Sequence, residues 1–220
     1  MVVCELKCVF VHIPKTGGSS IEKVLNPEMD AVSTLSDVDL FVGWSDEFKI
    51  WMQHATMQQM NDLHRENFTT YFKFGFVRNP WARAVSDYLW LLRDAGSSRV
   101  SREISGAHTF YDYLMTRGFF RKIFKNYGSI DYRGDHIIPQ VDFLFDKNGN
   151  LLVDFIGKTE DFEQDFSIVC DKIGIPQQKL PHKNKTKHKH YTEYYNDETK
   201  QIVAEKYAKD IEYFGYKFGE

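Results

Sequence analysis

The stretch that decides the fold is residues 8–20, which read Cys-Val-Phe-Val-His-Ile-Pro-Lys-Thr-Gly-Gly-Ser-Ser. Its first six residues form a β-rich apolar run that Pro14 stops, which predicts a buried strand over 8–13. Helically spaced apolar residues follow from Ile21. Glycines let backbone N–H groups converge on an anion, and a helix N-terminus adds partial positive charge. The segment therefore predicts a strand, a helix and, between them, an anion-binding loop made of Lys15, Thr16, Gly17, Gly18, Ser19 and Ser20.

The same order of elements recurs at residues 73–93. An apolar run predicts a strand over 73–78, and Asn79-Pro80 is typical of a helix N-cap followed by the first helical position. Arg78 thus ends a strand, where open α/β sheets bind ligands, and Ser86 lies about two turns into the helix. An arginine fork and a hydroxyl can clamp a second phosphate. Taken alone, Arg78 would fit a structural ion pair as well as a phosphate-binding site.

The remaining elements extend the α/β pattern. An apolar run predicts a third strand over 151–156, paired as a hairpin across the turn 146–150. A helix is expected between Thr159 and Gly174, and the last helix near Asn196 or Asp197. No linker divides the chain. We therefore expect a single α/β domain over 1–220, with a central parallel sheet flanked by helices in a P-loop-like, three-layer fold.

Composition excludes several classes of protein. The chain has 220 residues, of which 34 are Phe, Tyr or Trp, so general disorder is excluded. A net charge of −3 argues against a dedicated nucleic-acid-binding protein. The three cysteines, Cys4, Cys8 and Cys170, match neither a disulfide framework nor a metal site. We expect no membrane span and no signal peptide and, because the loop begins near residue 14, a cytoplasmic location.

Together, the two phosphate motifs resemble those of the sulfotransferases that use 3′-phosphoadenosine 5′-phosphosulfate (PAPS). Residues 14–20 resemble the family's loop for the 5′-phosphosulfate, and 78–88 fit its R-x-P-x-x-R-x-x-S-x-Y pattern for the 3′-phosphate. The carbohydrate branch, which contains heparan-sulfate 2-O-type and chondroitin-type enzymes, shows further resemblance at 53–56, 139–144 and 180–186. The resemblance implies sulfonate transfer to a hydroxyl group, with a glycan as the expected acceptor.

The resemblance also implies roles for individual residues. Residues 15–20 would hold the 5′ end of PAPS, with Lys15 stabilising the leaving oxygen, while Arg78 and Ser86 would hold the 3′-phosphate. No metal ion is required if lysine and backbone N–H groups supply the positive field. The basic run 179–190 would either cap the nucleotide or attract a polyanionic glycan. The candidate cap residues are Lys183, Asn184, Lys185 and Thr186.

A histidine is the expected general base, because its ordinary pKa lies near neutrality. His54 is the first candidate, since the segment 53–56 resembles the base-bearing region of the family, and His136 is the second. His12 is interpreted as a structural residue, and Glu22 as a first-turn helix carboxylate. Trp44 and Trp51 are candidate stacking residues for a sugar. Oligomeric state has no signature in the sequence.

Two rival functions remain open. A P-loop kinase is disfavoured because Lys15 precedes the glycines, whereas the nucleotide-triphosphatase loop reads G-x-x-x-x-G-K-[ST]. A non-catalytic module that binds adenosine 3′,5′-bisphosphate would keep Arg78 and Ser86 but would need no base. Binding without sulfonate transfer would distinguish that module from an enzyme.

Overall fold

The computed structural model describes residues 1–27, 41–63, 69–95, 108–180 and 189–220. The chain divides into two units, the first formed by 1–78 and 140–186 and the second by 79–139 and 187–220. The single domain expected over 1–220 stays a prediction. Among the described helices, none combines the length and the apolar character needed to cross a membrane.

A mixed sheet forms the centre of the first unit. Among the described residues it has four strands in the order β1-β2-β5-β6, namely β1 (Val2–Val3), β2 (Cys8–Val11), β5 (Phe72–Val77) and β6 (Phe155–Lys158). Strands β2, β5 and β6 are parallel, and β1 is an antiparallel edge strand. The expected central parallel sheet is confirmed, with this one antiparallel addition.

Helices cover both faces of this sheet. Phe10, Phe74 and Phe76 point to one face, where they pack in a single core with α1 (Gly18–Leu25) and α7 (Phe162–Ile173). On the other face, a Cβ atom placed on Gly75 would lie 2.9 Å from Cδ2 of Leu144 in α6 (Val141–Leu144). Side chains alternate along a strand, so each face requires its own apolar cover. The expected arrangement of helices around a central sheet is therefore confirmed.

The third predicted strand is displaced along the chain. The prediction placed it over 151–156, whereas β6 begins four residues later, at Phe155. Leu151 instead forms an isolated antiparallel bridge with Phe145, as the expected hairpin requires. Gly157 pairs with Phe76, and a Cβ atom on this glycine would lie 2.4 Å from the Phe76 ring. The close approach of β6 to β5 thus depends on a glycine outside the predicted strand.

The remaining elements of the first unit lie between β2 and β5. A short antiparallel hairpin consists of β3 (Trp44–Ser45) and β4 (Ile50–Trp51), and it leads through a 3₁₀ turn (Met52–His54) to α2 (Met57–Leu63). Trp44 pairs directly with Trp51, and their rings contact edge to face with centroids 5.8 Å apart. Two indole rings therefore precede His54 in the chain and share one hairpin.

The described part of the second unit consists of helices around an aromatic core. Its helices are α3 (Pro80–Ala95), α4 (Phe110–Leu114), α5 (Gly118–Lys125), α8 (Asp197–Lys206) and α9 (Ala208–Phe214). Contacting rings in the core have centroids between 5.3 and 6.1 Å apart, a separation typical of stabilising aromatic pairs; they belong to Tyr88, Phe110, Tyr113, Phe120 and Phe124.

Helix ends follow the sequence closely. The Asn79 side chain accepts the Trp81 N–H at 3.1 Å, and Pro80 takes the first helical position as expected. Helix α7 ends at Gly174, which adopts a left-handed conformation. Asn196 caps α8 through a reciprocal pair of hydrogen bonds with Thr199, of 2.8 and 2.9 Å. These local signals suffice to set the bounds of the helices.

The cap at Asn196 yields a test of the fold. We expect Asn196→Ala to lower the free energy of unfolding by about 1 kcal/mol, because the N–H of Thr199 loses its acceptor. Urea unfolding followed by circular dichroism measures the change. The control Lys209→Ala alters an exposed residue of α9 and should change the free energy of unfolding by less than about 0.5 kcal/mol. Equal stability of both variants would contradict the capping role.

Candidate active site

The predicted anion-binding loop joins β2 to α1. Lys15 adopts a left-handed backbone conformation with φ 72°, which is unusual for a residue other than glycine. The buried hydroxyl group of Thr16 donates to the Ile13 carbonyl at 2.9 Å and so closes the turn. Ser20 is buried and Ser19 is half-buried in the first turn of α1. The loop thus leads into a helix N-terminus, whose first N–H groups lack partners within the helix and attract anions.

Both glycines of the loop are required by close contacts. Gly17 is the N-cap of α1 and has φ 83°, and a Cβ atom on it would lie 2.7 Å from the Phe162 ring. A Cβ atom on Gly18 would lie only 2.0 Å from Cδ2 of His12. Since real Cβ atoms do not approach other atoms so closely, the backbone here runs where only glycine fits.

Arg78 contacts the predicted anion-binding loop. Strands β2 and β5 are parallel neighbours, so their carboxyl ends meet at one edge of the sheet. The Arg78 guanidinium group donates to the Lys15 carbonyl at 3.3 Å. The backbone of Arg78 is held by the buried Gln140, whose side-chain amide accepts the Arg78 N–H at 2.8 Å and donates to its carbonyl at 2.9 Å. The structure therefore brings the predicted binding residues Lys15 and Arg78 together.

The other predicted binding residues fall elsewhere. Ser86 is half-buried on α3, in the second unit. Lys183, Asn184, Lys185 and Thr186 lie outside the described residues. Their assignment to the 3′-phosphate and to a nucleotide cap stays a prediction.

His54 lies next to a buried acid–base pair that sequence reasoning assigned to structure alone. It ends the 3₁₀ turn that follows the tryptophan hairpin, and its side chain is half-buried. Its ring meets the His12 ring edge to face, with centroids 5.1 Å apart. Nδ1 of His12 is 2.7 Å from Oε1 of Glu22, and both side chains are about nine-tenths buried. The first unit thus holds a Glu22–His12–His54 cluster beside the phosphate loop.

The carboxyl group of Glu22 is held ionised. Burial favours its neutral form, but the charge of His12 and the hydrogen bond from its ring outweigh burial and lower the pKa of Glu22. His54 and the Met1 ammonium group act in the same direction. An ionised carboxylate is therefore held against His12, whose ring contacts the first candidate base.

The second candidate base belongs to another buried pair, in the second unit. Nδ1 of His136 is 2.6 Å from Oδ1 of Asp87, and both side chains are at most 5% exposed. The Tyr113 hydroxyl donates to the other oxygen of Asp87 at 3.1 Å, and the His136 ring stacks on Trp90. Burial, followed by the nearby Asp87 charge, raises the pKa of Tyr113 well above its ordinary value, so its hydroxyl stays a donor. A carboxylate that orients an imidazole is typical of catalytic pairs.

Arg83, the second arginine of the resembling motif, supports the backbone around His136. Its guanidinium group donates to the carbonyls of His136 and Ile138 at 3.0 and 2.9 Å, and the residue is 2% exposed. Sequence reasoning missed both Arg83 and Asp87. Arg83 and Asp87 are four residues apart on one helix, and Trp90 follows three residues later on the same face. Two charged residues on a face that also carries a large aromatic residue would have indicated that the charges are buried.

Comparisons with known proteins agree with the geometry of the loop. A sequence model described as the sulfotransferase family matches residues 1–217. An uncharacterized protein of Archaeoglobus fulgidus is 33% identical over 120 residues, which cover 54% of this chain and 80% of that protein. Carbohydrate sulfotransferase 10 of Xenopus laevis is 24% identical over 239 residues, and the match covers 96% of this chain but only 65% of that protein.

A solved structure shows weaker similarity. The crystal structure of a sulfotransferase from Alicyclobacillus acidocaldarius matches with a TM-score of 0.41 and 22% identity, covering 74% of this chain and 60% of that one. The sequence match to the family extends over both units and includes the loop, Arg78 and the cluster around His54. The chain therefore belongs to the sulfotransferase family, the transferases that move sulfonate groups.

Proposed function

We propose that this protein transfers the sulfonate group of PAPS to a hydroxyl group of a carbohydrate. The observation that carries the proposal is the contact between the Arg78 guanidinium group and the carbonyl of Lys15. It joins two predicted phosphate-binding motifs at the carboxyl edge of one sheet, where ligands of α/β proteins bind. PAPS carries phosphate groups at both ends of one nucleotide, which matches a site with two such motifs.

The residues of the loop suit an anionic donor. Gly17 and Gly18 let the backbone approach a 5′-phosphosulfate closely, and the N-terminus of α1 contributes partial positive charge. Lys15 and Arg78 add two full charges. Arg78 and Ser86 are proposed to hold the 3′-phosphate, and the residues from Lys183 to Thr186 to cap the nucleotide. A donor with phosphate groups at both ends would use both motifs, whereas a single inorganic anion would use only one.

The proposed reaction is an in-line transfer. When bound, PAPS supplies a sulfonate whose S–O bond to the phosphate breaks as a new S–O bond to the acceptor oxygen forms. Lys15 neutralises the charge that develops on the leaving phosphate oxygen, and a histidine takes the proton of the acceptor hydroxyl. The products are a sulfate ester and adenosine 3′,5′-bisphosphate. Lysine and backbone N–H groups supply the positive field, so no metal ion takes part in this scheme.

His54 is proposed as the base, and His136 as the alternative. His54 is half-buried, which supports access to a reacting hydroxyl, and its ring contacts His12 next to the anion-binding loop. His136 is 5% exposed, and its Nδ1 is engaged by Asp87, so Nε2 would have to act as the base. Exposure therefore favours His54, whereas orientation by a carboxylate favours His136.

Two observations support a carbohydrate acceptor: the name of one relative and a pair of tryptophans near His54. The Xenopus laevis relative is a carbohydrate sulfotransferase, although the chain covers less than two thirds of its length. The paired indole rings of Trp44 and Trp51 are both half-buried and lead directly into the turn that carries His54. Aromatic side chains of this kind present an apolar face and a polar edge, which suits a sugar ring.

Nucleotide binding tests the donor site. We expect Arg78→Ala to weaken the binding of adenosine 3′,5′-bisphosphate by about 10- to 100-fold, because hydrogen bonds to a charged partner are lost. We expect Lys15→Ala to lower the rate of sulfonate transfer by about 10²- to 10³-fold, since the leaving oxygen loses its cation. Isothermal calorimetry gives the first value, and transfer of labelled sulfonate from PAPS to a panel of glycans gives the second.

Two controls accompany this experiment. Arg121→Ala removes an exposed arginine of α5, and Lys23→Ala removes a lysine from the last turn of α1; both should bind the nucleotide as the wild type does. Tighter binding of ATP–Mg²⁺ than of adenosine 3′,5′-bisphosphate would refute the proposal. Tight binding of the bisphosphate without transfer to any acceptor would identify a non-catalytic module instead.

Separate histidine variants test the base. We expect His54→Ala to lower kcat by about 10²- to 10⁴-fold with little change in nucleotide affinity, because the acceptor hydroxyl keeps its proton. The control Lys209→Ala alters an exposed residue of α9, to which no role is assigned, and should leave kcat unchanged. Full activity of His54→Ala together with a large loss in His136→Ala would reassign the base to His136.

A further inference from the structure

We propose that Glu22 and His12 are positioning residues, which hold the ring of His54 at a fixed position relative to the anion-binding loop of residues 15–20. The inference rests on the proposed function, in which the loop binds the sulfonate donor and His54 takes the proton. Neither Glu22 nor His12 touches the reacting atoms in this proposal. Their role is to keep the distance between the anion-binding loop and His54 constant.

The pair itself is rigidly built. His12 follows β2, Glu22 lies in the second turn of α1, and the 2.7 Å contact between them ties the strand to the helix across the loop. The His12 ring also stacks on Phe10, with centroids 5.7 Å apart and planes inclined by 19°. With Nδ1 facing a carboxylate and the ring stacked, His12 has one orientation available. An ionised Glu22 keeps the proton on Nδ1, as in other carboxylate–imidazole pairs.

One edge of the His12 ring lies against Gly18, the residue at which α1 begins. Its Cδ2 and Nε2 atoms would lie 2.0 and 2.2 Å from a Cβ atom on Gly18, so the ring rests almost against the glycine backbone. Gly18 is the first residue of α1, whose N–H groups are those offered to the phosphosulfate. The His12 ring therefore lies directly against the first residue of the helix whose N-terminus is proposed to bind the donor.

The same ring contacts the candidate base. His54 meets it edge to face, with centroids 5.1 Å apart and planes at 88°. The His12 side chain thus contacts both Gly18 and His54. Two groups that must cooperate in the transfer share a common support, and Glu22 fixes that support.

Stability alone gives a weak reason for such a pair. Burying a carboxylate and an imidazole costs free energy that their hydrogen bond need not recover, and apolar replacements of similar volume are often equally stable. The neighbouring core offers apolar partners, including Phe10 and Ile21. A buried carboxylate–imidazole pair at the loop is better explained by orientation, because a hydrogen bond to a carboxylate specifies one ring geometry whereas an apolar contact does not.

The test is Glu22→Gln, which keeps the size of the side chain and an oxygen acceptor but removes the charge. We expect kcat to fall by about 10- to 100-fold through misalignment of the base, while affinity for adenosine 3′,5′-bisphosphate stays near the wild-type value. We also expect the imidazole resonances of His54 to shift in proton–nitrogen NMR spectra. These resonances are identified as those that disappear in His54→Ala.

Val169→Ala is the matched control. Val169 is fully buried in the same core, on α7, so its truncation destabilises the first unit without altering the cluster. We expect this variant to unfold more easily than the wild type, yet to keep its kcat and the resonances of His54. The comparison separates positioning from loss of stability, because only the former predicts a fall in kcat at temperatures where both variants are folded.

Three results would overturn the positioning role: a wild-type kcat in Glu22→Gln, a fall in kcat equal to that of Val169→Ala, or His54 resonances that do not respond to Glu22→Gln. Failure of the proposed function looks different, because the wild-type protein would then transfer no sulfonate to any acceptor. In that case the NMR comparison alone decides whether Glu22 and His12 hold the ring of His54.

Discussion

Parallel pairing of β2 with β5 is the constraint on which the proposed donor site depends. The register from Cys8 opposite Phe72 to Val11 opposite Gly75 brings two strand ends together from distant parts of the chain. Only then can the Arg78 guanidinium group reach the carbonyl of Lys15, 63 residues away in sequence. Gln140 strengthens the arrangement, because its amide binds the Arg78 backbone as a neighbouring strand would. A local motif thus becomes a site through long-range pairing of the backbone.

The parts of the fold that could be predicted from the sequence are those set by local chemistry. Asn79, Gly174 and Asn196 end or begin helices through hydrogen bonds and backbone conformations that need only their neighbours. The third strand was placed four residues too early, because an apolar run does not specify which of its residues join the ladder. Leu151 forms only a bridge with Phe145, and the strand proper begins at Phe155.

The site was predictable to a similar extent. The loop and Arg78 carry their signal in residue type and spacing, and the structure joins them. The pairs formed by His12 with Glu22 and by Asp87 with His136 carry no such signal, because ten and 49 residues separate the partners. A histidine in an apolar strand looks structural until its partner is known. Long-range pairs of this kind become visible only when the fold has assembled them.

The left-handed backbone of Lys15 has a consequence for how this protein can change. A side chain in that conformation costs about 1 kcal/mol relative to glycine, so the loop is folded against a local preference. Glycine at this position would relieve the strain and stabilise the fold, but it would remove the cation from the proposed donor site. If Lys15 acts as proposed, backbone strain and catalysis make opposite demands on one residue, and selection for stability alone would favour loss of the lysine.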